Sequence, residues 1–338
     1  MFPLKIRRKK KVLVLWYSID ENLGDYYLYR TVHAYAIEWG YQVKGMDVGL
    51  PYEIIAKEAK KFDWLWFAGG GIIERGVPDI IRNFAEFHKK AGKIKYGITG
   101  LSIGKFDYSD EVQAISYWIN NASFFYTRDT FSAEKLNRMG SISKVNASVD
   151  VVFASKEIGN VVPRKEKCVG INFRTMPYVD LTGEINWKAW ETAIENCIKE
   201  KIVIIPDQID VSEKFIFDYP KQYTPENAVY VISRIEYGVA MRYHVILIAA
   251  RLGIACIPID YCPKVTRLAE QLGIGELCIH PTEPAKLYEV VKKYRDNEEN
   301  YKRRIENNVK DMEKIACEMF KSVHKIMEET ENERKIFI

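Results

Sequence analysis

The sequence contains no apolar stretch that approaches the roughly 20 residues needed to span a membrane. It has neither a G-x-G-x-x-G fingerprint nor a G-x-x-x-x-G-K-[S/T] loop, which argues against a nicotinamide-dependent Rossmann enzyme and a P-loop ATPase. No H-E-x-x-H motif, paired acidic run or His/Cys cluster has the spacing of metal ligands, so we expect no metal. No pair of carboxylates stands out for glycosidase chemistry.

The six cysteines are scattered and form no C-x-x-C pair, as expected for reduced thiols in a cytoplasmic protein. They are Cys168, Cys197, Cys256, Cys262, Cys278 and Cys317. The formal net charge of +4 is too small for a dedicated nucleic-acid binder, so we expect no nucleic-acid partner.

Basic residues are concentrated at the start of the chain, at Lys5, Arg7, Arg8, Lys9, Lys10 and Lys11. The apolar run that follows is short and precedes no small-residue cleavage site, so we do not interpret the segment as a signal peptide. The basic run is either a solubilising segment or a peripheral contact with the inner face of an anionic membrane. Such a contact is worth on the order of 1 kcal/mol per basic residue.

The length and the composition predict two globular domains. A chain of 338 residues with 47% hydrophobic content exceeds one typical domain and can bury a large core without disulfides. Apolar runs alternate with amphipathic segments, and the pattern restarts after a polar stretch, which we take as a linker over 156–167. We therefore predict an N-terminal Rossmann-like domain over 1–155, a C-terminal one over 168–295 and a helical tail over 296–338.

The alternation of strand and helix predicts doubly wound α/β domains, in which parallel sheets carry helices on both faces. The predicted strands are 11–17, 41–48, 63–68, 95–99, 123–126, 144–148, 168–173, 202–205, 229–232, 238–241, 255–259 and 276–279; the first predicted helices are 26–38, 52–60 and 78–90. In the tail, apolar residues three and four apart define one helix face, which either packs on its own protein, back on the N-terminal domain, or binds a partner. They are Tyr301, Ile305, Val309, Met312, Ile315, Met319 and Val323.

Polar and glycine residues concentrate directly after the predicted strands, where ligands bind in open parallel sheets. If the two domains face each other across these ends, we expect one cleft lined by Arg128, Arg174, Arg242, His244 and Lys264. Arginine binds carboxylate and phosphate bidentately and lysine supplies a point charge, so the set suits an anion with both groups.

Each motif also has a purely structural interpretation. The glycine triplet at 69–71 is compatible with a tight turn alone, and Arg128-Asp129 and Asp25 are compatible with helix starts. The histidines His33, His88, His280 and His324 are predicted to be structural or solvated. His244, two residues after an arginine at a strand end, is the candidate for a functional histidine.

Taken in order, the motifs resemble those of the polysaccharide pyruvyl transferase family. The matching segments are Asn22-Leu23-Gly24-Asp25, Gly69-Gly70-Gly71, Gly100–Gly104, Arg128-Asp129-Thr130-Phe131-Ser132, Asp150–Phe153, and Met241-Arg242-Tyr243-His244 with Pro258, Tyr261 and Lys264 after it. The resemblance covers roughly residues 11–275. Tyr243 is a departure, since many relatives carry leucine or another residue there.

The resemblance implies a two-domain GT-B-type fold and transfer of pyruvate from phosphoenolpyruvate to two hydroxyls of a saccharide, with phosphate release, in cell-wall or surface polysaccharide biosynthesis. The acceptor can be lipid-linked, and no cofactor is implied. In this chain the family's donor-binding positions correspond to Arg128, Arg242 and Lys264, and we add Arg174 to them. The resemblance assigns the role of general acid/base to His244.

Asn22 and Asp25 are predicted to orient the acceptor hydroxyls. An imidazole with an ordinary pKa near 6.5 suits general acid/base work at neutral pH.

Two rival hypotheses stay open, because a fold does not determine a function. The first is a nucleotide-sugar-dependent GT-B glycosyltransferase, and the second is a non-catalytic member of a surface-assembly machinery.

Overall fold

A computed structural model describes residues 9–18, 22–74, 76–104, 108–140, 145–164, 166–173, 185–205 and 224–336. Arg174 and most of the basic run at the start of the chain lie outside these residues. The chain divides into two compact units. The first comprises the described residues of Met1–Asp20, Asp25–Ala154 and Lys314–Ile338, and the second those of Glu21–Gly24 and Ser155–Glu313.

The first unit alternates strands and helices. Its strands are β1 (Lys11–Trp16), β2 (Gln42–Asp47), β3 (Trp64–Phe67), β4 (Lys95–Leu101), β5 (Phe124–Thr127) and β6 (Asn146–Ala147). Its helices are α1 (Leu23–Glu38), α2 (Tyr52–Ala59), α3 (Asp79–Arg82), α4 (Phe84–Lys90), α5 (Val112–Asn120) and α6 (Thr130–Met139), and a 3₁₀ turn spans Val151–Ala154.

Among the described residues, six strands of the first unit pair in parallel in the order β2-β1-β3-β4-β5-β6. The central strands are apolar and buried, as the run Trp64–Phe67 illustrates, because helices cover both faces of a parallel sheet. The carboxyl ends of β3, β4 and β5 therefore lie side by side, and the glycine and polar motifs follow these ends.

The second unit begins with the helix α7 (Lys156–Gly159) and contains a second parallel sheet. Its strands are β7 (Cys168–Asn172), β8 (Lys201–Ile204), β9 (Tyr237–Ala240) and β10 (Cys256–Pro258). Its helices are α8 (Trp187–Cys197), α9 (Pro225–Ile232), α10 (Tyr243–Arg251), α11 (Pro263–Gln271) and α12 (Leu287–Asp296), with 3₁₀ turns at Gly275–Leu277 and Pro284–Lys286. Within the described part of the chain, the four strands pair in the order β10-β9-β7-β8.

Three predicted elements differ from the structure. The apolar run 229–232 was predicted as a strand and is the end of α9, because Thr224 caps this helix and Pro225 occupies its first turn. The segment 276–279 forms a 3₁₀ turn and a single bridge from Ile279 to Ile259 instead of a strand. The predicted helix 78–90 is divided at Asn83 into α3 and α4.

The last helix, α13 (Glu298–Ile336), runs through both units. Its final part packs on the first unit, where the ring of Phe320 stacks on Tyr35 with the centroids 3.8 Å apart. His324 stacks on Trp39 at 4.5 Å. No helix in the described residues is long and apolar enough to cross a membrane.

Candidate active site

The second unit presents two neighbouring strand-to-helix corners. β9 and β10 pair in register, with Ala240 opposite Pro258, and each is followed at its carboxyl end by a helix. Arg242 is the N-cap residue of α10 and is buried, and Lys264 is the second residue of α11. The two helix N-termini carry a partial positive charge, which adds to that of the two side chains.

His244 is half-buried in the first turn of α10. Its imidazole packs edge-on against the ring of Tyr243, with the centroids 4.9 Å apart and the planes at 79°. On another side the backbone of Gly24 lies so close that a Cβ atom there would overlap the imidazole. Oδ1 of Asn22 accepts a hydrogen bond from the Gly24 N–H at 2.8 Å. The glycine of the N-x-G-D motif therefore lies against the ring of His244.

Asp260 follows β10 and was not among the predicted site residues. Burial raises the pKa of its carboxyl group, while the charge of His280 and a hydrogen bond with Thr266 act in the opposite direction. Its backbone N–H donates to the carbonyl of Ile279 at 3.0 Å. A carboxyl group whose ionised form is disfavoured by burial thus lies in the turn between β10 and the helix that carries Lys264.

The first unit buries an ion cluster at the carboxyl ends of its central strands. Arg128, only 2% exposed, directs Nη2 to Oε1 of Glu74 at 3.0 Å and Nη1 to Oδ2 of Asp150 at 3.5 Å. The side chains of Glu74 and Asp150 are 8% and 0% exposed. Two carboxylates therefore already compensate the positive charge of Arg128, which the sequence analysis predicted to bind the donor.

Glu74 also joins the other motifs of this sheet edge. Oγ of Ser102 donates to Oε1 of Glu74 at 2.5 Å, and Gly71 and Gly104 both pass so near Glu74 that a Cβ atom would collide with it. Glu74 was not among the predicted site residues, although it is the first charged residue after the glycine triplet. It is the point at which three of the motifs meet.

Asp25 belongs to the first unit and lies over the glycine triplet. Gly70 has φ +77° and bridges to Leu101, and a Cβ atom on Gly70 would lie 2.9 Å from Oδ1 of Asp25 and 2.8 Å from Cδ1 of Leu28. Only glycine combines this backbone with this clearance. The triplet therefore continues the pairing of β3 with β4 beneath the Asp25 carboxylate.

The predicted site residues fall into two groups. Arg242, His244 and Lys264 lie at the adjacent corners of the second unit, and Asn22 is grouped with that unit. Arg128 and Asp25 belong to the first unit.

Three of the other histidines make packing or hydrogen-bonding contacts. His88 Nε2 lies 3.0 Å from the carbonyl oxygen of Ile94, and burial lowers the pKa of this imidazole. His324 stacks on Trp39. Nδ1 of His280 lies 2.7 Å from the hydroxyl of Thr282.

Comparison with known proteins decides the family. The sequence profile of the polysaccharide pyruvyl transferases matches residues 14–263, about three quarters of the chain. The chain belongs to the polysaccharide pyruvyl transferase family. It is thus a transferase of polysaccharide biosynthesis, and the family implies a saccharide acceptor. The matched range includes both corner residues Arg242 and His244 and ends one residue before Lys264.

Solved structures confirm the GT-B-like α/β fold of this family member. The UDP-GlcNAc 2-epimerase of Neisseria meningitidis aligns with a TM-score of 0.56 at 12% identity, over 93% of this chain and 100% of that one. An alpha-glucosyltransferase in complex with UDP and DNA gives 0.54 at 11% identity, over 94% and 99%. The UDP-GlcNAc 2-epimerase of Methanocaldococcus jannaschii gives 0.52 at 12%, over 84% and 92%. No curated protein sequence matches the chain.

Proposed function

We propose that this transferase moves the pyruvyl group of phosphoenolpyruvate onto two hydroxyls of a saccharide, forms a cyclic ketal and releases phosphate. The observation that carries the proposal is the placement of Arg242, His244 and Lys264 at two adjacent strand-to-helix corners of a family member. Phosphoenolpyruvate presents a phosphate and a carboxylate whose phosphorus and carbon atoms are three bonds apart. Two cations and one imidazole at these corners provide for both groups and for proton transfer.

The donor is held by complementary charges. The Arg242 guanidinium forms two parallel hydrogen bonds to a carboxylate or a phosphate, and Lys264 contributes a compact charge. As the phosphate departs, negative charge accumulates on it, and cations fixed in advance stabilise that charge without rearrangement.

The chemistry requires two protons to move. The methylene carbon of the donor gains a proton, and the oxygen of the first acceptor hydroxyl bonds to the neighbouring carbon. The bond from that carbon to the phosphate oxygen then breaks, and the second hydroxyl oxygen bonds to the carbon. Of the two hydroxyl protons, one ends on the new methyl group and the other leaves with phosphate. We assign the transfer to the imidazole of His244.

The other predicted site residues enter the proposal with separate tasks. We assign Asn22 and Asp25 to the acceptor hydroxyls, since both belong to the motif that reaches His244. Donor contact by Arg128 stays a prediction, because Glu74 and Asp150 already compensate its charge. A lipid-linked acceptor at the inner membrane face is part of the same proposal.

A donor-binding experiment tests the proposal. Phosphoenolpyruvate at 100 times its Kd is expected to stabilise the protein by about 2.7 kcal/mol, measured as a raised Tm. Lys264→Ala is expected to weaken this shift and to raise the donor KM, whereas Lys292→Ala, an exposed lysine of α12, leaves both unchanged. A Tm raised by UDP- or GDP-sugars and not by phosphoenolpyruvate would favour the nucleotide-sugar glycosyltransferase instead.

Gly24→Ala tests the contact between the N-x-G-D motif and His244. Alanine favours a helix over glycine, but its methyl group would occupy the space of the imidazole and displace the ring. A displacement of about 1 Å can cost about 100-fold in turnover, so we expect a loss of that order with the fold intact. Gly275→Ala, whose nearest neighbour would be Glu270 Cγ at 3.3 Å, is the matched control. Wild-type turnover in Gly24→Ala would refute the role of this contact.

A further inference from the structure

A buried amide lies at the carboxyl end of the central strand of the second unit. Asn172 is the last residue of β7 and is 1% exposed, between β9 on one side and β8 on the other. The other residues of β7 are apolar or glycine and equally buried. A buried amide is unfavourable unless hydrogen bonds offset its desolvation, so a hydrophobic residue would suit this strand better. The position is a candidate for a role beyond packing.

Asn172 forms its hydrogen bonds to the backbone on both sides. Its carbonyl oxygen accepts from the Met241 N–H at 2.9 Å, and Oδ1 accepts from the Arg242 N–H at 3.0 Å. Its Nδ2 donates to the carbonyl of Ile205, just past β8, at 3.1 Å. The residue thus joins the chain just after β8 to the chain just after β9, beyond the point where each strand's pairing with β7 ends.

The bonded corner is the one that carries the proposed donor and proton-transfer groups. Arg242 adopts φ −75° and ψ 127°, and its own side chain makes no capping hydrogen bond to α10. Its N–H is therefore fixed from the neighbouring strand by Asn172. A shift of this N–H would move the Arg242 side chain and, two residues later, the imidazole of His244.

We infer that Asn172 is a positioning residue, which holds Arg242 and His244 in place through the backbone of the β9–α10 corner. The inference rests on the proposed function of these two residues. Asn172 touches neither donor nor acceptor in this assignment and acts only through the residues it orients.

Two substitutions of Asn172 separate the two side-chain bonds. Asn172→Leu has nearly the same shape and loses both. Asn172→Asp keeps the acceptor for Arg242 as a carboxylate and can replace both bonds when protonated. We expect Asn172→Leu to lower kcat/KM by about 100-fold, as for a misplaced catalytic group, and Asn172→Asp to lose about tenfold, the value of one net hydrogen bond.

Asn137 offers a matched control in the first unit. Its amide also bonds in both directions to the backbone, from Nδ2 to the Val145 carbonyl at 3.0 Å and from the Val145 N–H to Oδ1 at 3.2 Å. Asn137→Leu and Asn137→Asp remove the same kinds of bond away from the corner. We expect them to reduce stability and to leave kcat/KM of the folded protein unchanged.

A spectroscopic measurement makes the test independent of turnover. With ¹³C-labelled histidine, the imidazole signal of His244, assigned through His244→Gln, is expected to shift in Asn172→Leu and not in the Asn137 variants.

If wild-type protein does not consume phosphoenolpyruvate, the proposed function fails while this signal still decides the positioning role. A folded Asn172→Leu with an unmoved His244 signal and wild-type kcat/KM overturns the inference. Should Asn172→Leu not fold, Asn172→Asp and Asn172→Ser, which is too short to reach both partners, are judged by the same two readouts.

Discussion

His244→Ala is expected to lower pyruvyl transfer by at least about 100-fold while the fold stays intact, since a positioned acid/base contributes about 10²–10⁴-fold. The imidazole is half-buried at the start of α10, so its removal leaves no large cavity in the core. The measurement is phosphate release from phosphoenolpyruvate with a saccharide that accepts pyruvate, together with the circular dichroism spectrum of the variant.

Two further variants test whether the loss of activity is specific to the imidazole of His244. His244→Gln preserves a hydrogen-bonding side chain of similar length but cannot take up a proton near neutral pH, so we expect it to lose as much activity as His244→Ala. His33→Ala on α1 removes a histidine that lies outside the second unit and should leave turnover unchanged. Phosphate release at the wild-type rate in either His244 variant would remove this residue from the mechanism.

Glu74→Ala is expected to destabilise the first unit by about 3–5 kcal/mol, the usual result of breaking a buried ion pair. The substitution takes away the carboxylate nearest to Arg128 and leaves Ser102 Oγ without the acceptor it has in Glu74. Asp150, at 3.5 Å, cannot replace a partner at 3.0 Å without movement of the β5 end. Urea unfolding followed by tryptophan fluorescence measures the loss, since Trp64, Trp66 and Trp118 are buried in this unit.

Glu134→Ala is the matched control for this prediction. Its carboxylate faces Arg138 at 3.9 Å on the surface of α6, and both side chains are more than half exposed. Exposed pairs of this kind contribute about 0.3–0.5 kcal/mol, so the unfolding midpoint should barely change. Glu74→Gln, which keeps an acceptor oxygen, should fall between the two. An equal, small effect of Glu74→Ala and Glu134→Ala would show that the buried cluster does not hold the strand ends together.

Much of the fold could be predicted because it depends on short-range patterns. The run Lys11–Trp16 is a strand in the structure as in the sequence, since a continuous apolar segment bounded by polar residues suits a strand covered on both faces. The run at 229–232 shows the limit of this argument. Buried strands and buried helix turns have the same apolar composition over four residues, and the cap at Thr224 and Pro225 decided between them.

The candidate site could be predicted only in part. Arg242, His244 and Lys264 were identifiable because parallel strands bring their carboxyl ends to one edge. Glu74 and Asn172 could not be identified from the sequence, because their roles depend on which distant side-chain and backbone atoms they contact. Glu74 meets Arg128 across 54 positions of sequence, and Asn172 meets Arg242 across 70.

The sequence by itself determined the alternation of strands and helices, the ordered motifs and hence the family, because periodicity and local spacing are properties of neighbouring residues. Only the tertiary structure decided that Glu74 and Asp150 neutralise Arg128. It alone also decided that Gly24 lies against the imidazole of His244 and that Asn172 bonds to the backbone of the β9–α10 corner. Ion pairs, steric contacts and hydrogen bonds act over a few ångströms, and folding alone determines which distant residues come within that range.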